Sequence, residues 1–339
     1  MSEFNSENLF VRKTFIVLAS VLLAIAASTV FVLVIDQFLI ILFAVLLSVP
    51  MSGFITLVKQ RLHISYTFSF ALVWLVLFGL VAVLGYFSAS TISSQISTYS
   101  SVTFNVQEQV ENLPAWIPNS LISEFNNINI LEAVTSGRTV QSVENTAAAI
   151  FGGLTGSIIF TALVIYISLS PKQHKKGLLI ITPARQRPTV EELLKTIPSI
   201  LNWWMVSRVF SMVAVGVLTY IGLLILNVEA ALLLFITAGL LAFIPNLGPI
   251  LSVIPAILLS LPQGVLLVAW VIGLYVFVQF VESYFITPFV QKKAVSVTPA
   301  LLLSVQIVFG ALFGLLGLLI AGPITAIAVG LVQEERSGK

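Results

Sequence analysis

Glu282, in the run Val278-Gln279-Phe280-Val281-Glu282-Ser283-Tyr284, places a titratable carboxylate inside an otherwise apolar stretch. At membrane depth a carboxylate costs about 2.5–3.5 kcal/mol on insertion scales, so its default reading is functional: it can accept a proton, a cation or the donors of a solute. The structural alternative pairs it with Lys292, Lys293 or Arg208 near a cytoplasmic helix end, where it would only orient the helix. Asn246, in Ile244-Pro245-Asn246-Leu247-Gly248-Pro249, offers amide donors and a carbonyl acceptor to a solute or ion, or else caps the helix that follows. Gly248 lets the backbone turn or approach a neighbour closely, and Pro249 suits the first position of a new helix, where its missing donor is harmless. Gln279 and Gln306 are polar groups in apolar runs, each facing a pathway or bonding between helices. Arg208 follows Trp203-Trp204 and reads as an interfacial anchor, with a gate or anion contact as the sharper alternative.

Other chemistry is poorly supplied. The chain has no cysteine, its two histidines are His63 and His174, and Asp36 is its one aspartate. Disulfides, thiolate metal sites, serine–histidine hydrolysis and paired-aspartate hydrolysis therefore lack their parts. A Gly-x-x-x-x-Gly-Lys-Ser/Thr phosphate loop is also missing from the sequence, so ATP-driven work has no nucleotide site. Neither an enzyme nor a cofactor or metal is expected.

The elements that must position these residues are membrane helices. The 339-residue chain is 58% hydrophobic and 9% charged, against roughly 25% charged in an ordinary globular domain. Its mean hydropathy is +1.07. Apolar runs long enough to cross cover 14–35, 38–58, 66–87, 147–169, 209–226 and 265–286. An all-α polytopic fold follows, with about six full spans and two broken hairpins. The first run, after Arg12 and Lys13, is too long for a secretory signal core, and Asp36 is expected in a two-residue outer turn before the second.

Basic residues gather in short loops: Arg12 and Lys13; Lys59, Arg61 and His63; and Lys172, Lys175, Lys176, Arg185, Arg187 and Lys195 after the fourth span. The positive-inside rule makes these segments, and the N terminus, cytoplasmic. The formal charge of +2 gives no case for nucleic acid. Residues 88–146 carry five glutamates against a lone Arg138, which places them outside as amphipathic helical segments leaning on the membrane or a neighbouring subunit. Four regions result: 1–87 with the cytoplasmic start and three spans, 88–146 outside, 147–208 with a fourth span and a basic segment, and 209–339 as the transport half. Within the basic segment, Thr189-Val190-Glu191-Glu192 after Pro188 fits a capping box that starts a helix.

Pro245 and Pro249, with Pro255 beyond, each remove a backbone donor, so a helix must break at this tip. The flanking arms 230–244 and 250–261 are too short to cross a hydrocarbon core of about 30 Å, and a re-entrant hairpin explains them. Arms 299–309 and 315–332 similarly flank Gly310, Gly314 and Gly317, with Pro323 interrupting the second. Small residues at that spacing favour tight packing, or a sliding interface. By charge signs one hairpin enters from each face, the arrangement of inverted elements in alternating access.

The ordered set of Phe243 to Pro249 with Pro255, then Gln279, Glu282, Pro288, Pro299, Gly310, Gly314, Gly317 and Pro323, resembles the signature of the autoinducer-2 exporter family of bacterial permeases, over nearly the whole chain. The resemblance implies a multi-pass transporter of the bacterial inner membrane, a homo-oligomer such as a pentamer. It implies movement of small polar solutes, autoinducer-2 in some relatives, by an elevator-like or alternating-access motion. Sodium–proton exchange is assigned to others, which keeps a cation antiporter open for this chain. An oligomeric scaffold without transport is the alternative from a different class.

Overall fold

The computed structural model describes residues 2–101, 153–228, 231–291 and 296–336, and every regular element among them is helical. Helix α1 (Ser2–Leu62) runs unbroken through Asp36 and carries Pro50 inside it. The outer turn expected at Asp36, and with it two separate spans over 14–35 and 38–58, is therefore corrected to one helix about 90 Å long. The physical reason is local: Val34-Ile35-Asp36-Gln37-Phe38 holds neither glycine nor proline, and one aspartate does not stop a helix. Region 1–87 thus contains two long helices rather than three spans, and Arg12 and Lys59 lie at opposite ends of one rod. The backbone turn on which a double crossing by 14–35 and 38–58 relied is thus not present in α1.

Helix α2 (Tyr66–Ser101) continues past the expected end of its span, and α3 (Gly153–Leu169) occupies the fourth. The expected start of that span at 147, and most of the outer segment 88–146, lie outside the described residues. Tyr66 donates from its hydroxyl to the Ser168 carbonyl at 2.5 Å, tying the start of α2 to the end of α3. Ala44, Trp74 and Val164 form the core shared by α1, α2 and α3.

After the short basic helix α4 (Pro171–Ile181) and a 3-10 turn at Ala184–Gln186, α5 (Arg187–Ile225) extends for 39 residues through Pro198. No side-chain cap bond is made at its start, where Gln186 stands at the cap position and Pro188 in the first turn. The capping box at Thr189 is corrected accordingly: proline, already set to a helical φ, starts the helix two residues earlier. Helix α5 is the spine of the fold. Its Leu201 packs with Leu39 and Leu46 of α1, while its Val215 and Leu223 pack into a second core.

That second core joins α5 to α6 (Ala231–Leu241), α7 (Leu247–Ser260) and α8 (Val265–Val281) through Leu234, Ala238, Ala256, Val271 and Tyr275. Helix α6 descends antiparallel to α5, with Gly216 against Phe235 and Gly239 against the Met212 carbonyl. Lipid tails are as apolar as these side chains, so close backbone approach and packing, rather than escape from water, hold such helices together. At 11 and 14 residues, about 17 and 21 Å, neither α6 nor α7 spans the hydrocarbon core. They form the first broken hairpin.

Beyond α8 the chain makes a π turn at Glu282–Ile286, then α9 (Thr287–Gln291) and α10 (Pro299–Arg336). Although α10 is 38 residues long, Gly314 at φ 58°, ψ −141° folds it into arms 299–313 and 315–336. Gln333 donates from Nε2 to the Ser296 carbonyl at 3.2 Å, so the two open ends return to one level. This is the second hairpin. Its break lies at Gly314 and not at Pro323, which the helix carries inside its second arm, as α7 carries Pro255.

Candidate functional site

The tip of the first hairpin combines a two-residue backbone bond that a continuous helix would not make with a helical four-residue bond across it. Leu247 N–H donates to the Pro245 carbonyl at 2.7 Å, and Gly248 N–H to the Ile244 carbonyl at 2.9 Å. Asn246 takes φ 64°, in the left-handed half of backbone space that asparagine tolerates better than most residues. It stands at the cap position of α7 without a side-chain cap bond, so capping does not account for its amide. Gly248 is required sterically, since a Cβ there would fall on the Leu241 carbonyl oxygen. Pro245, Gly248 and Pro249 are buried and Asn246 is half-buried.

Three other elements close on this tip. Phe243 meets Trp204 of α5 edge-on, with ring centroids 5.6 Å apart, and Phe43 of α1 at 6.3 Å. Gln306, fully buried in the first arm of α10, donates from Nε2 to the Pro245 carbonyl at 2.9 Å. Its Oε1 is buried without a partner. The tip of the first hairpin therefore meets the first arm of the second, about two turns before its break at Gly314. Gly317 and Gly310 serve the second hairpin itself: a Cβ on Gly317 would strike the Phe309 carbonyl, and Gly310 lies against Leu318.

A second polar group lies along α5, one turn from Trp204. Arg208 and Glu282 are each only 4% exposed and act on each other electrostatically. They are not in ion-pair contact, unlike Lys195 and Glu191, which lie 3.5 Å apart on the surface. Glu282 Oε2 is buried and unpartnered. Gln279 donates from Nε2 to Ser283 Oγ at 3.0 Å and leaves its own Oε1 without a partner. Lys292 and Lys293, the other cations weighed for Glu282, lie outside the described residues. Of the expected site residues, then, the structure joins Pro245 to Gln306 and sets Glu282 beside Gln279 and Arg208, with α5 connecting the two groups.

The π turn and three hydroxyls escaped sequence reasoning. Thr287 N–H donates to the Glu282 carbonyl, a five-residue step that widens the helix where Glu282 leaves it. Pro288 was the available signal, because its ring cannot donate to the carbonyl four residues back and crowds it. Ser207, Ser211 and Thr219 recur in steps of four and eight along one buried face of α5, and none of their hydroxyls has a partner. Helical Ser252, Ser260 and Thr325 instead close onto carbonyls three or four residues earlier. The α5 hydroxyls are free to bond across the helix interface.

The family model described as AI-2E family transporter matches residues 15–336. Among curated relatives, two Bacillus subtilis (strain 168) proteins bear the name "Putative transport protein": YrrI is 21% identical over 68% of this chain, and YueF 24% over 77%. The chain spans 64% of the length of YrrI and 74% of YueF. A protein of the same descriptive name from Haemophilus influenzae is 22% identical over 98% of this chain and 96% of its own length.

Proposed function

The chain belongs to the AI-2E transporter family, a multi-pass membrane transport family, and from that premise we propose that it is a secondary transporter moving small polar solutes by alternating access. The observation that carries this reading is the meeting of two interrupted hairpins at the Gln306–Pro245 bond. Broken backbone within a bilayer is tolerated only where protein or a polar cavity satisfies it. In transporters such breaks sit at the substrate site, and the element bearing them moves as a unit. Here the break is buried and bonded, while Gln306 Oε1 is buried without a partner and the half-buried Asn246 makes no cap bond, which leaves both free to engage a solute once the hairpins part.

Pro245, Asn246, Gly248, Pro249, Gln279, Glu282 and Gln306 form the proposed solute path, and Gly310, Gly314 and Gly317 shape the hairpin that would move. Without a nucleotide-binding loop, an ion or solute gradient drives the motion. The cargo is a small polar molecule, of which an autoinducer-2-like compound is one instance. The proposed setting is the bacterial inner membrane as a homo-oligomer, with the Lys59–Arg61 end of α1 and the basic α4–α5 segment facing the cytoplasm.

The test is flux in proteoliposomes across a panel of polar solutes and ions with an imposed pH gradient. Solute-dependent flux is expected. A protein that assembles in the bilayer yet moves none of them is a scaffold instead. Sodium–proton exchange as the sole activity would favour the antiporter reading with Glu282 as the exchanging group.

A further inference from the structure

Arg208 and Glu282 pose a specific physical problem. A buried charge is stable when paired and hydrogen-bonded, yet these two are nine-tenths buried, of opposite sign, within electrostatic range and not in contact. Around them stand oxygens with no partner: Glu282 Oε2, Gln279 Oε1, and the hydroxyls of Ser207 and Ser211, which flank Arg208 on α5. Something that bonds to both charges completes the arrangement.

From the charge balance and the donor set we infer that this site takes a zwitterionic solute of the α-amino-acid class, its carboxylate on Arg208 and its ammonium on Glu282. The guanidinium presents a planar fork that matches a carboxylate, flanked by two hydroxyls on α5, whereas the unpartnered atoms at Glu282 and Gln279 are acceptors, suited to the donors of an ammonium. Net charge decides against the simpler ligands. Arg208 and Glu282 sum to zero, so a bare cation or anion would leave one uncompensated charge buried, while a zwitterion leaves none. A neutral polyol preserves the balance but brings no full charge to either group. The π turn fits this role, because Glu282 stands where the helix widens at Glu282–Ile286, and such bulges recur at functional sites.

This inference rests on the transporter reading and names its substrate class. The test uses the full-length protein in proteoliposomes, loaded in turn with each common α-amino acid and assayed by counterflow of the labelled compound. N-acetyl amino acids, amino-acid amides, ribose and sodium serve as comparison solutes. At least one free amino acid is expected to exchange, and blocking its amine or its carboxylate should each weaken exchange about tenfold or more, the weight of one hydrogen bond to a charged group. Arg208→Met and Glu282→Gln should lose the preference for the free amino acid, and Arg208→Lys should restore part of it. Because the blocked analogues probe the native protein, a variant that fails to assemble does not spoil the result. Exchange of ribose or sodium with no free amino acid, or equal exchange of blocked and free forms, overturns the inference while leaving transport intact. Exchange of nothing overturns both.

Discussion

Gln306 Nε2 lies 2.9 Å from the carbonyl oxygen of Pro245, a bond between two hairpins separated by 61 positions in the chain. Helix geometry makes this contact available. Pro249 cannot donate to the carbonyl four residues before it, so the break frees a backbone acceptor at Pro245 that Leu247 and Gln306 share. Gln306→Leu keeps the volume roughly constant and removes that donor. The expected outcome is a loss of about 1–3 kcal/mol in stability, seen as a lower unfolding midpoint, together with reduced flux. An unchanged midpoint with normal flux would mean that the hairpins hold together without the bond.

What the sequence discloses follows from which residues dominate local energetics. Pro245 and Pro249 break a helix wherever they stand, so the first hairpin was legible. The glycine tip between arms 299–309 and 315–332 was legible too, since one glycine there, Gly314 at positive φ, makes the turn; Pro323 shows the limit, because the interruption expected within the second arm is absorbed by its helix. Asp36 misled likewise, because a charge suggested a surface turn that no backbone feature enforces. Glu282 was legible as a buried charge, and Arg208 as one of three candidate partners, since the sequence cannot rank cations by distance. Ser207, Ser211 and Thr219 stayed silent because serine and threonine in a membrane helix ordinarily satisfy themselves on their own backbone.

Gly314 and Gly248 should fail for different reasons when substituted. Nothing lies within 4 Å of a Cβ built on Gly314, so Gly314→Ala is opposed only by its backbone at φ 58°, a cost of about 1–3 kcal/mol. At Gly248 the backbone is helical but a Cβ meets the Leu241 carbonyl, and Gly248→Leu must push the tip apart. Flux should therefore fall further in Gly248→Leu than in Gly314→Ala at matched abundance. The reverse order, measured in the same vesicles, would show that the turn at Gly314 limits flux more than the packing of the first tip.

Asn246→Ala removes donors and an acceptor that make no cap bond in the structure. Apparent solute affinity should drop about tenfold while the unfolding midpoint stays near wild type, because no folded-state bond is being cut. A lowered midpoint with unchanged affinity would assign Asn246 to the fold and remove it from the solute path.

Glu282→Gln keeps shape and removes the charge opposite Arg208. Insertion and oligomer assembly should survive, and transport should fall at least about tenfold, since leaving one buried charge without its counterpart is expensive in the bound state. Arg208→Met with Glu282→Gln removes both charges, so coupling between the sites predicts that the double variant assembles better than Arg208→Met alone. Strictly additive effects on abundance and flux would show that the two side chains act independently.

Orientation can be read from accessibility, because a chain with no cysteine gives a blank background for single replacements. Gln173 on α4 and Gln186 before α5 are exposed and lie in the basic segment. The positive-inside rule places that segment in the cytoplasm, so cysteines at Gln173 and Gln186 should resist an impermeant thiol reagent in intact cells and react after lysis. Cysteines at Ser120 and Ser136, outside the described residues, should react in intact cells if 88–146 faces out. Helix α1 adds a stricter requirement, since one unbroken rod sets Arg12 and Lys59 at opposite ends. A cysteine at Lys59 should therefore be protected like Gln173, and one at Ser6 should not share that protection if the rod crosses once. Protection at both ends would mean that α1 bends back at Asp36 in the bilayer, and the double crossing would have to be restored.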